Sequence, residues 1–282
     1  MPTIIWVILF ILVALFLIYL VFVMPRMLNR ADRTPFMNRW YAHRGFHDNE
    51  SDAPENSIPA FKKAVEKGYG IELDVQLTKD EKVVVFHDND LKRVCGVDAP
   101  VNSMTYEELQ ELTLCSSKER IPLFEEVLST VGGKVPLIVE IKMVDGKTRV
   151  CELANEILVN YEGLYCVESF HPVAVKWFKD HRPELMRGQL SSDFGAESGK
   201  RENFGMFAVH FLISNIICRP DFVAYCCDFP NNFGFLLTKC FGALPVAWTV
   251  KSPEKLLKVY GKYKLFIFEG FSPEEVKKIE QH

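Results

Sequence analysis

The sequence predicts an α/β fold, a (β/α)8 barrel preceded by one N-terminal transmembrane helix. Three observations predict it. The chain begins with a long apolar run that carries no charge. Strand-like and helix-like blocks then alternate from residue 40 onwards. The chain has 282 residues in total, and a barrel of this kind commonly occupies about 250 residues.

The apolar run covers residues 4–23, and about 20 such residues are enough to cross a bilayer as a helix. A cleaved secretory signal is the alternative. Such a signal usually has basic residues before a shorter apolar run and a small-residue cleavage site after it. Here neither Lys nor Arg precedes the run, and Met24, Pro25 and Arg26 follow it. The pattern favours an uncleaved anchor over residues 1–24.

A polar connector is predicted over residues 25–39, before a barrel over residues 40–282. Basic residues crowd this side of the anchor, namely Arg26, Arg30, Arg33 and Arg39. Cytoplasmic flanks of membrane spans carry an excess of Lys and Arg. We therefore expect a single-pass protein of the cell membrane with its barrel on the cytoplasmic side.

Nine segments have the pattern of strands. They are residues 40–43, 70–77, 82–87, 136–142, 164–170, 186–190, 221–225, 244–250 and 265–269. Helical patterns lie at residues 57–67, 123–131, 147–160, 172–180 and 253–260. An eight-stranded barrel has room for one strand fewer. The surplus strand is expected within residues 70–87 or 186–225.

Residues 191–220 interrupt this alternation. They are polar at first and strongly apolar from residue 204 to residue 218. The apolar part is too short and interrupted to span a bilayer. Two interpretations remain open: an ordinary helix packed over the barrel, or an amphipathic helix that lies in the membrane interface beside the barrel mouth.

The charge of the chain argues against one class of partner. The formal net charge is −4 at pH 7, whereas a protein that binds nucleic acid usually presents a basic face. We expect a membrane and a small substrate as partners, and no nucleic acid.

Charged residues stand where barrel strands are predicted to end, which is where such barrels place their catalytic side chains. Glu72 and Asp74 are two residues apart in a strand and therefore share a face, while apolar neighbours occupy the other face. Glu140 and Lys142 repeat this pattern, and His43 ends the first strand. These side chains are expected to meet at one mouth.

Three carboxylates in one mouth would repel one another and raise each other's pKa. A hard divalent cation removes this cost, and oxygen ligands favour Mg²⁺ or Ca²⁺. Arg44 and Lys142 suit an anionic group such as a phosphate. His43 and His87 are suitable proton-transfer groups. The set of residues predicts metal-dependent hydrolysis of a phosphate ester.

Eight short motifs carry a resemblance to a known family. They are HRG at 43–45, PENS at 54–57, ELDVQLTKD at 72–80, FHDNDLKRV at 86–94, IPLFEEVL at 121–128, VEIK at 139–142, SF at 169–170 and AWTV at 247–250. In this order they resemble the glycerophosphodiester phosphodiesterases, with the apolar run indicating a membrane-anchored, bacterial-type member. Each motif is weak alone, but the ordered set is specific and covers residues 40–282.

The resemblance implies hydrolysis of glycerophosphodiesters to glycerol 3-phosphate and an alcohol. It implies that His43 and His87 are the catalytic acid and base, in an order that the sequence leaves open. Arg44 corresponds to a catalytic arginine that contacts the phosphate. The other implied substrate or phosphate contacts are Lys142, Glu55 and Trp248.

The resemblance also implies one divalent cation, Mg²⁺ or Ca²⁺. Its implied ligands are Glu72, Asp74 and Glu140. One position departs from the family pattern, because the last strand carries Glu269 where many relatives have an aspartate. Glu269 is expected to take the place of that aspartate with a longer side chain.

Three alternative functions were weighed against this one. Lysophospholipase D activity on a lysophospholipid is a close variant that the anchor and the apolar segment favour. A non-catalytic, membrane-tethered barrel that binds a phosphorylated ligand is the second, and the intact site residues argue against it. A phosphatidylinositol-type phospholipase C is the third, and the order of the motifs fits it less well.

Overall fold

The computed structural model describes residues 2–274 and residue 276. The strands in this part of the chain are β1 (Trp40–His43), β2 (Gly70–Leu77), β3 (Val83–Val85), β4 (Leu137–Ile141), β5 (Tyr165–Ser169), β6 (Arg187–Ser191), β7 (Phe222–Cys226), β8 (Leu244–Val250) and β9 (Leu265–Phe268). The α-helices are α1 (Pro2–Val23), α2 (Ile58–Lys67), α3 (Lys92–Cys95), α4 (Tyr106–Leu109), α5 (Phe124–Val131), α6 (Arg149–Leu158), α7 (Pro172–His181), α8 (Phe194–Ser198), α9 (Phe204–His210), α10 (Asn215–Cys218), α11 (Phe233–Cys240) and α12 (Pro253–Val259). Two 3-10 helices cover Thr34–Phe36 and Val101–Ser103.

The strands form one sheet in the order β1-β9-β8-β7-β6-β5-β4-β2-β3. Because β1 also pairs with β2, the sheet closes on itself. Every pairing in the closed ring is parallel, and only β3 lies outside it. The predicted (β/α)8 barrel after an N-terminal apolar helix is confirmed.

β3 is the surplus strand, and it lies in one of the two regions where the sequence placed the surplus. It pairs antiparallel with β2, with Val75 opposite Val85. The strand candidate at residues 82–87 therefore lies outside the barrel. Residues 78–82 are too few for the crossover between parallel strands, which needs a dozen or more, whereas a short turn joins antiparallel strands. His87 therefore follows a hairpin strand rather than a barrel strand.

The barrel interior changes from apolar to acidic along its axis. Near the N-terminal ends of the strands, Tyr41 and Ile138 belong to an apolar cluster with Phe36 of the connector. The Tyr41 hydroxyl donates a hydrogen bond to the carbonyl of Phe36 at 2.9 Å, which closes this end. Two residues further along β2 and β4, the inward positions hold acids instead. The sequence alternation thus confines polar chemistry to the C-terminal end.

The connector runs along the N-terminal end of the barrel and is held there by its arginines. Arg33 donates to the carbonyl of Gly242 at 2.8 Å, and Arg30 donates to the same carbonyl at 3.1 Å. The Arg26 guanidinium lies 3.5 Å from the buried carboxylate of Asp221. Three of the four arginines that suggested a membrane orientation therefore also bind the barrel.

α1 is the one helix among the described residues that is long and apolar enough to cross a membrane, over Thr3–Val23. Its C-terminal half contacts the rest of the protein. Arg219 donates to the carbonyls of Val21 and Met24 at 2.9 and 2.8 Å. Asn215 donates to the carbonyl of Val23 at 3.0 Å. The end of α1 is thus attached to the segment between β6 and β7.

That segment, residues 192–220, is named the insert here. It contains α8, α9 and α10 in place of a single crossover helix. The apolar stretch predicted from residue 204 to residue 218 forms two short helices joined by a turn. α10 packs against α7, so the insert covers the outside of the barrel as an ordinary helix would.

Candidate active site

A cavity of about 490 Å³ opens at the C-terminal end of the barrel. Its lining includes His43, Arg44, Glu72, His87, Glu140 and Glu269. These residues come from distant parts of the sequence, and the parallel strands bring them together because their carboxyl ends share one face. Three acids that were predicted as metal ligands and both predicted histidines therefore lie at or beside one mouth.

The predicted metal ligands form a compact group. Glu72, Asp74 and Glu140 each offer one carboxylate oxygen, and these oxygens lie within 4.8 Å of one another. All three side chains are buried. A fourth buried carboxylate, Glu168 on β5, lies in register with Glu140. Glu168 was not predicted from the sequence, although it is the one acid in a strand of otherwise uncharged residues.

The four carboxylates influence one another's ionisation. Burial raises the pKa of Glu72, and the charges of Asp74 and Glu168 raise it further. Burial and the nearby carboxylates also raise the pKa of Glu168, and burial raises that of Glu140. Asp74 is the exception, because Lys142 and other cations outweigh its burial and lower its pKa. The group therefore carries more potential negative charge than the protein neutralises.

Lys142 lies against the carboxylates. Its Nζ is 3.0 Å from Asp74 Oδ1 and 2.8 Å from Glu140 Oε1. Burial opposes its positive charge, but these two carboxylates outweigh burial and raise its pKa. Lys142 thus balances part of the acidic group, and its direct contact with a phosphate stays a prediction.

The HRG turn fixes Arg44 beside the acids. Arg44 adopts a left-handed backbone conformation with φ of 55°, which is strained for a non-glycine residue. In this conformation its amide donates a hydrogen bond to Glu72 Oε2 at 3.1 Å. The next residue, Gly45, has φ of 82°, and a Cβ there would lie 3.0 Å from Ala60. The turn therefore requires glycine and holds the arginine in place.

The Arg44 side chain is shared between two acids. Its Nη1 donates to Glu55 Oε1 at 2.6 Å, and its Nε lies 3.7 Å from Asp74 Oδ2. Burial opposes the charge of Arg44, and the surrounding acids, Asp74 first, outweigh burial and raise its pKa. The guanidinium remains charged at the mouth, where it can bind an anionic group.

His43 is held by the residue that departs from the family pattern. Its Nδ1 lies 2.7 Å from Glu269 Oε2, and its Nε2 lies 3.8 Å from Glu72 Oε2. Burial lowers the pKa of His43 to about 4, against the opposing effect of Glu269. The hydrogen bond from His43 overcomes burial and lowers the pKa of Glu269 to about 2. A neutral His43 therefore donates Nδ1–H to the carboxylate and leaves Nε2 as a base.

His87 is held by a chain of charged groups. Its Nδ1 lies 2.6 Å from Asp88 Oδ1, and Arg93 donates to Asp88 Oδ2 at 2.7 Å. Arg93 also donates to both oxygens of Glu55 at 2.6 and 2.7 Å. The amide of Gln76 donates to the carbonyl of Asp88 at 2.8 Å and fixes the backbone after β3. These contacts orient the ring of His87, although His87 does not follow a strand of the barrel.

The other two predicted contact residues lie at the edges of the cavity. Glu55 is held by Arg44 and Arg93, so it positions these cations beside the mouth. Trp248 lines the wall, and its Nε1 donates to the carbonyl of Ala224 at 2.9 Å. Its ring stacks edge-on against Phe170 with 5.3 Å between the centroids. Both contacts with substrate stay predictions.

Three supporting residues were quoted within motifs but given no role. Asp88 and Arg93 belong to the FHDNDLKRV motif and orient His87. Asn56 belongs to PENS, and its Nδ2 donates to Asp74 Oδ2 at 2.9 Å. Their partners lie elsewhere in the sequence, so spacing alone gave no indication of these contacts.

The residues present suit a bound divalent cation. The acidic group consists of hard oxygen donors, which Mg²⁺ and Ca²⁺ prefer. Among the described residues, Glu168 Oε2 is buried without a hydrogen-bond partner. The raised pKa values of Glu72 and Glu140 indicate that further positive charge would stabilise their ionised forms.

A second group of possible ligands lies in the insert, away from this mouth. Asp193, Glu202 and His210 offer atoms within 4.8 Å of one another. The His210 Nδ1 lies 2.8 Å from Glu202 Oε1, and its Nε2 lies 3.8 Å from Asp193 Oδ2. These contacts join His210 of α9 to Asp193, which precedes α8, and to Glu202 in the loop between the two helices.

Similarity to known proteins supports the family that the motifs indicate. The model of the glycerophosphoryl diester phosphodiesterase family matches residues 43–201. A glycerophosphodiester phosphodiesterase of Bacillus altitudinis is 34% identical over 169 residues, which cover 56% of this chain and 68% of that protein. A human lysophospholipase D is 34% identical over 132 residues, covering 42% of this chain and 41% of its own length.

Solved structures show the same fold. A phosphodiesterase of Oleispira antarctica, in complex with the product sn-glycerol-3-phosphate, has a TM-score of 0.70 and 22% identity; the match covers 88% of this chain and 98% of that one. A glycerophosphodiester phosphodiesterase of Thermotoga maritima has a TM-score of 0.64 and 25% identity, covering 87% and 99% of the two chains. With the family match over more than half of its length, the chain belongs to the glycerophosphoryl diester phosphodiesterase family and is a phosphoric diester hydrolase.

Proposed function

We propose that the chain hydrolyses glycerophosphodiesters to glycerol 3-phosphate and an alcohol, using one divalent cation and two histidines. The observation that carries this proposal is the meeting of His43, His87 and the acidic group around one cavity. The family and the Bacillus relatives support the substrate class.

Glu72, Asp74 and Glu140 would hold the cation, Mg²⁺ or Ca²⁺. A bound divalent ion polarises the phosphoryl group and neutralises charge that develops on its oxygens. Glu168 lies beside Glu140 on the neighbouring strand and adds negative charge to the same group. Lys142 offsets part of this charge and keeps the ligands together through its contacts with Asp74 and Glu140.

His43 is the general base in this proposal. Its lowered pKa keeps the ring neutral at physiological pH, and Glu269 fixes the proton on Nδ1. The free Nε2 takes a proton from the attacking hydroxyl. Attack by water gives glycerol 3-phosphate directly, whereas attack by the glycerol 2-hydroxyl gives a cyclic phosphate that water then opens to glycerol 3-phosphate. As that proton moves to His43, the new phosphorus–oxygen bond forms.

His87 is the general acid. Asp88 accepts a hydrogen bond from Nδ1 of His87 and so orients the ring. For this role His87 acts as an imidazolium, which carries a second proton on Nε2 for the leaving group. The phosphorus–oxygen bond to the alcohol breaks, and His87 protonates the departing oxygen. Arg44, held between Glu55 and Asp74, is placed to bind a non-bridging phosphate oxygen.

We also propose that α1 anchors the enzyme in the cell membrane, with the barrel on the cytoplasmic side. The length and composition of α1 support a span. Lysophospholipase D activity is the second candidate function. It is favoured by an apolar groove beside the catalytic cavity and by the name of the human relative.

The proposal is tested with the full chain in detergent, treated with a chelator and supplied with glycerophosphocholine. Choline release should be absent until Mg²⁺ or Ca²⁺ is added. His43→Ala should lower kcat by about 100-fold or more, because general base catalysis typically contributes that much. An unchanged melting temperature serves as the folding control. Activity without metal, or near-normal rates in His43→Ala, would contradict the mechanism.

A further inference from the structure

An apolar groove of about 750 Å³ lies beside the catalytic cavity, between the start of α7 and the insert. A volume of this size is typical of ligand sites, which span about 300–1,000 Å³. The groove is lined mainly by apolar side chains, among them Met143, Val144, Phe194, Met206, Val209 and Ile213.

The groove and the catalytic cavity share part of their walls. Glu140 and Phe170 line both. Glu140 is a proposed ligand of the metal, so the groove begins beside the place where a phosphodiester would bind. A molecule with its phosphate at the acids can therefore extend an apolar portion into the groove.

The far end of the groove leads to the anchor helix. Phe22 of α1 lines it, together with Ile216 and Ile217 of the insert. Beside the groove, the end of α1 is tied down by the hydrogen bonds from Asn215 and Arg219. One continuous apolar surface therefore joins the acids to the helix that is proposed to lie in the bilayer.

The direction of α1 places the bilayer on the side of the barrel mouth. Near its C-terminal end, the amide of Arg26 donates to the carbonyl of Pro220, which precedes β7. Tyr19 and Phe16 lie against Phe233, which begins α11 after β7 has ended. In chain order, the helix therefore runs from the C-terminal end of β7 towards its N-terminal end. Its remaining N-terminal residues extend beyond the mouth and are exposed.

Exposed apolar side chains also lie at the barrel mouth, on the side where the N-terminal part of α1 extends. Val144, Val173, Phe204 and Phe233 follow β4, β5, β6 and β7 respectively, and they are 40%, 37%, 83% and 52% exposed. Isolated apolar residues are common on protein surfaces, but a set on one face beside an apolar helix is typical of a membrane contact.

We propose that this groove is an acyl-chain site that takes a lysophospholipid directly from the bilayer that α1 crosses. The inference rests on the proposed function and specifies its substrate class. The single acyl chain lies in the groove, the phosphodiester reaches the acids, and the headgroup alcohol leaves at the mouth. Water adds across the phosphorus–oxygen bond, as for a soluble glycerophosphodiester, so no further reactant is needed.

The test uses the full chain in phosphatidylcholine vesicles with metal, and measures choline release from lysophosphatidylcholines of increasing chain length and from glycerophosphocholine. In the wild type, kcat/KM should be higher for the lysophosphatidylcholines than for glycerophosphocholine, because a chain in the groove holds the phosphodiester at the acids. A steep rise with chain length is not expected, since the chain leaves one apolar environment, the bilayer, for another. Ala208→Trp narrows the groove and should lower the ratio of the long-chain to the chainless kcat/KM by about ten-fold or more.

Phe207→Trp is the matched control, because Phe207 lies on the same helix but outside the groove. It should leave the ratio unchanged. Equal kcat/KM for lysophosphatidylcholine and glycerophosphocholine in the wild type, or an unchanged ratio in Ala208→Trp, would overturn the acyl-chain site while leaving the hydrolysis of glycerophosphocholine intact. If the wild type releases choline from neither substrate, the proposed function itself fails.

Discussion

At the scale of single residues, the pair His43–Glu269 carries the most specific chemical information. An ionised carboxylate accepts hydrogen bonds and cannot donate them. Glu269 is ionised at neutral pH, because its pKa is lowered to about 2. The 2.7 Å contact therefore fixes the proton on Nδ1 of His43. The ring presents Nε2 to the mouth. Glu269, which directly follows β9, reaches Nδ1 of His43 with the longer side chain of a glutamate.

Glu269→Gln tests this positioning role. The amide keeps the size but removes the charge, so both tautomers of His43 become accessible. We expect kcat on glycerophosphocholine to fall by about 100-fold with a smaller change in KM, as for loss of base catalysis. The negative charge of Glu269 raises the pKa of His43, so its removal should also move the acidic limb of the pH–kcat profile to lower pH.

If Glu269 had only a structural role, Glu269→Gln would change the free energy of unfolding but would leave the acidic limb of the pH–kcat profile in place. Glu269→Asp, which retains the charge on a shorter side chain, should recover part of kcat. Equal kcat values for the wild type and Glu269→Gln would exclude Glu269 from the mechanism.

At the scale of elements, the hairpin strand β3 and helix α3 form a support for His87. Glu55 connects this support to the HRG turn, because it accepts hydrogen bonds from Arg93 on α3 and from Arg44. Burial works against the charge of Glu55, but its bonds with Arg93 lower its pKa to about 2. The two histidines are thus held in one charged network although they follow different types of strand.

Glu55→Gln should lower the free energy of unfolding at neutral pH by about 2–4 kcal/mol, because it leaves a mostly buried arginine without its partner. The pKa of Glu55 is lower in the folded state, so its stabilisation is present above its unfolded value of about 4.3. It is lost as the pH falls towards about 2. The difference between wild type and variant in urea unfolding should therefore shrink over this range. Glu50→Gln, an exposed acid in the same loop, is the control, and a pH-independent difference would contradict the assignment.

The attachment of α1 to the insert depends on Arg219, which donates to two carbonyls near the end of the helix. Arg219→Ala should weaken this attachment by about 1–3 kcal/mol, the cost of leaving such groups without partners. Hydrogen exchange of the amides in α10 should become about ten-fold faster. Arg201→Ala, at an exposed position of the insert, should leave the exchange unchanged. Unchanged exchange in Arg219→Ala would show that α1 is held by other contacts.

At the scale of the whole molecule, the sequence was sufficient for the barrel and for the gathering of its acids. Strand periodicity placed Glu72 and Asp74 on the inward face, and parallel strands made the mouth their meeting point. The surplus strand was predicted to lie in one of two regions, because the apolar pattern of β3 resembles that of a barrel strand. Glu168 was overlooked because it belongs to no quoted motif.

Other features depend on contacts that no local pattern encodes. The connector arginines suggested membrane orientation, yet Arg30 and Arg33 also bind carbonyls more than two hundred residues away. The apolar part of the insert was recognised, but its groove exists only where the insert meets α7 and Phe22. Such long-range arrangements follow from packing of the complete chain.

Anomalous diffraction from crystals of the full chain soaked in Mn²⁺ tests the central claim most directly. We predict one strong peak among Glu72, Asp74 and Glu140, with metal–oxygen distances of about 2.0–2.6 Å. The peak should disappear in Asp74→Asn crystals that retain the fold. A peak confined to Asp193, Glu202 and His210, or no peak at the mouth, would contradict the account.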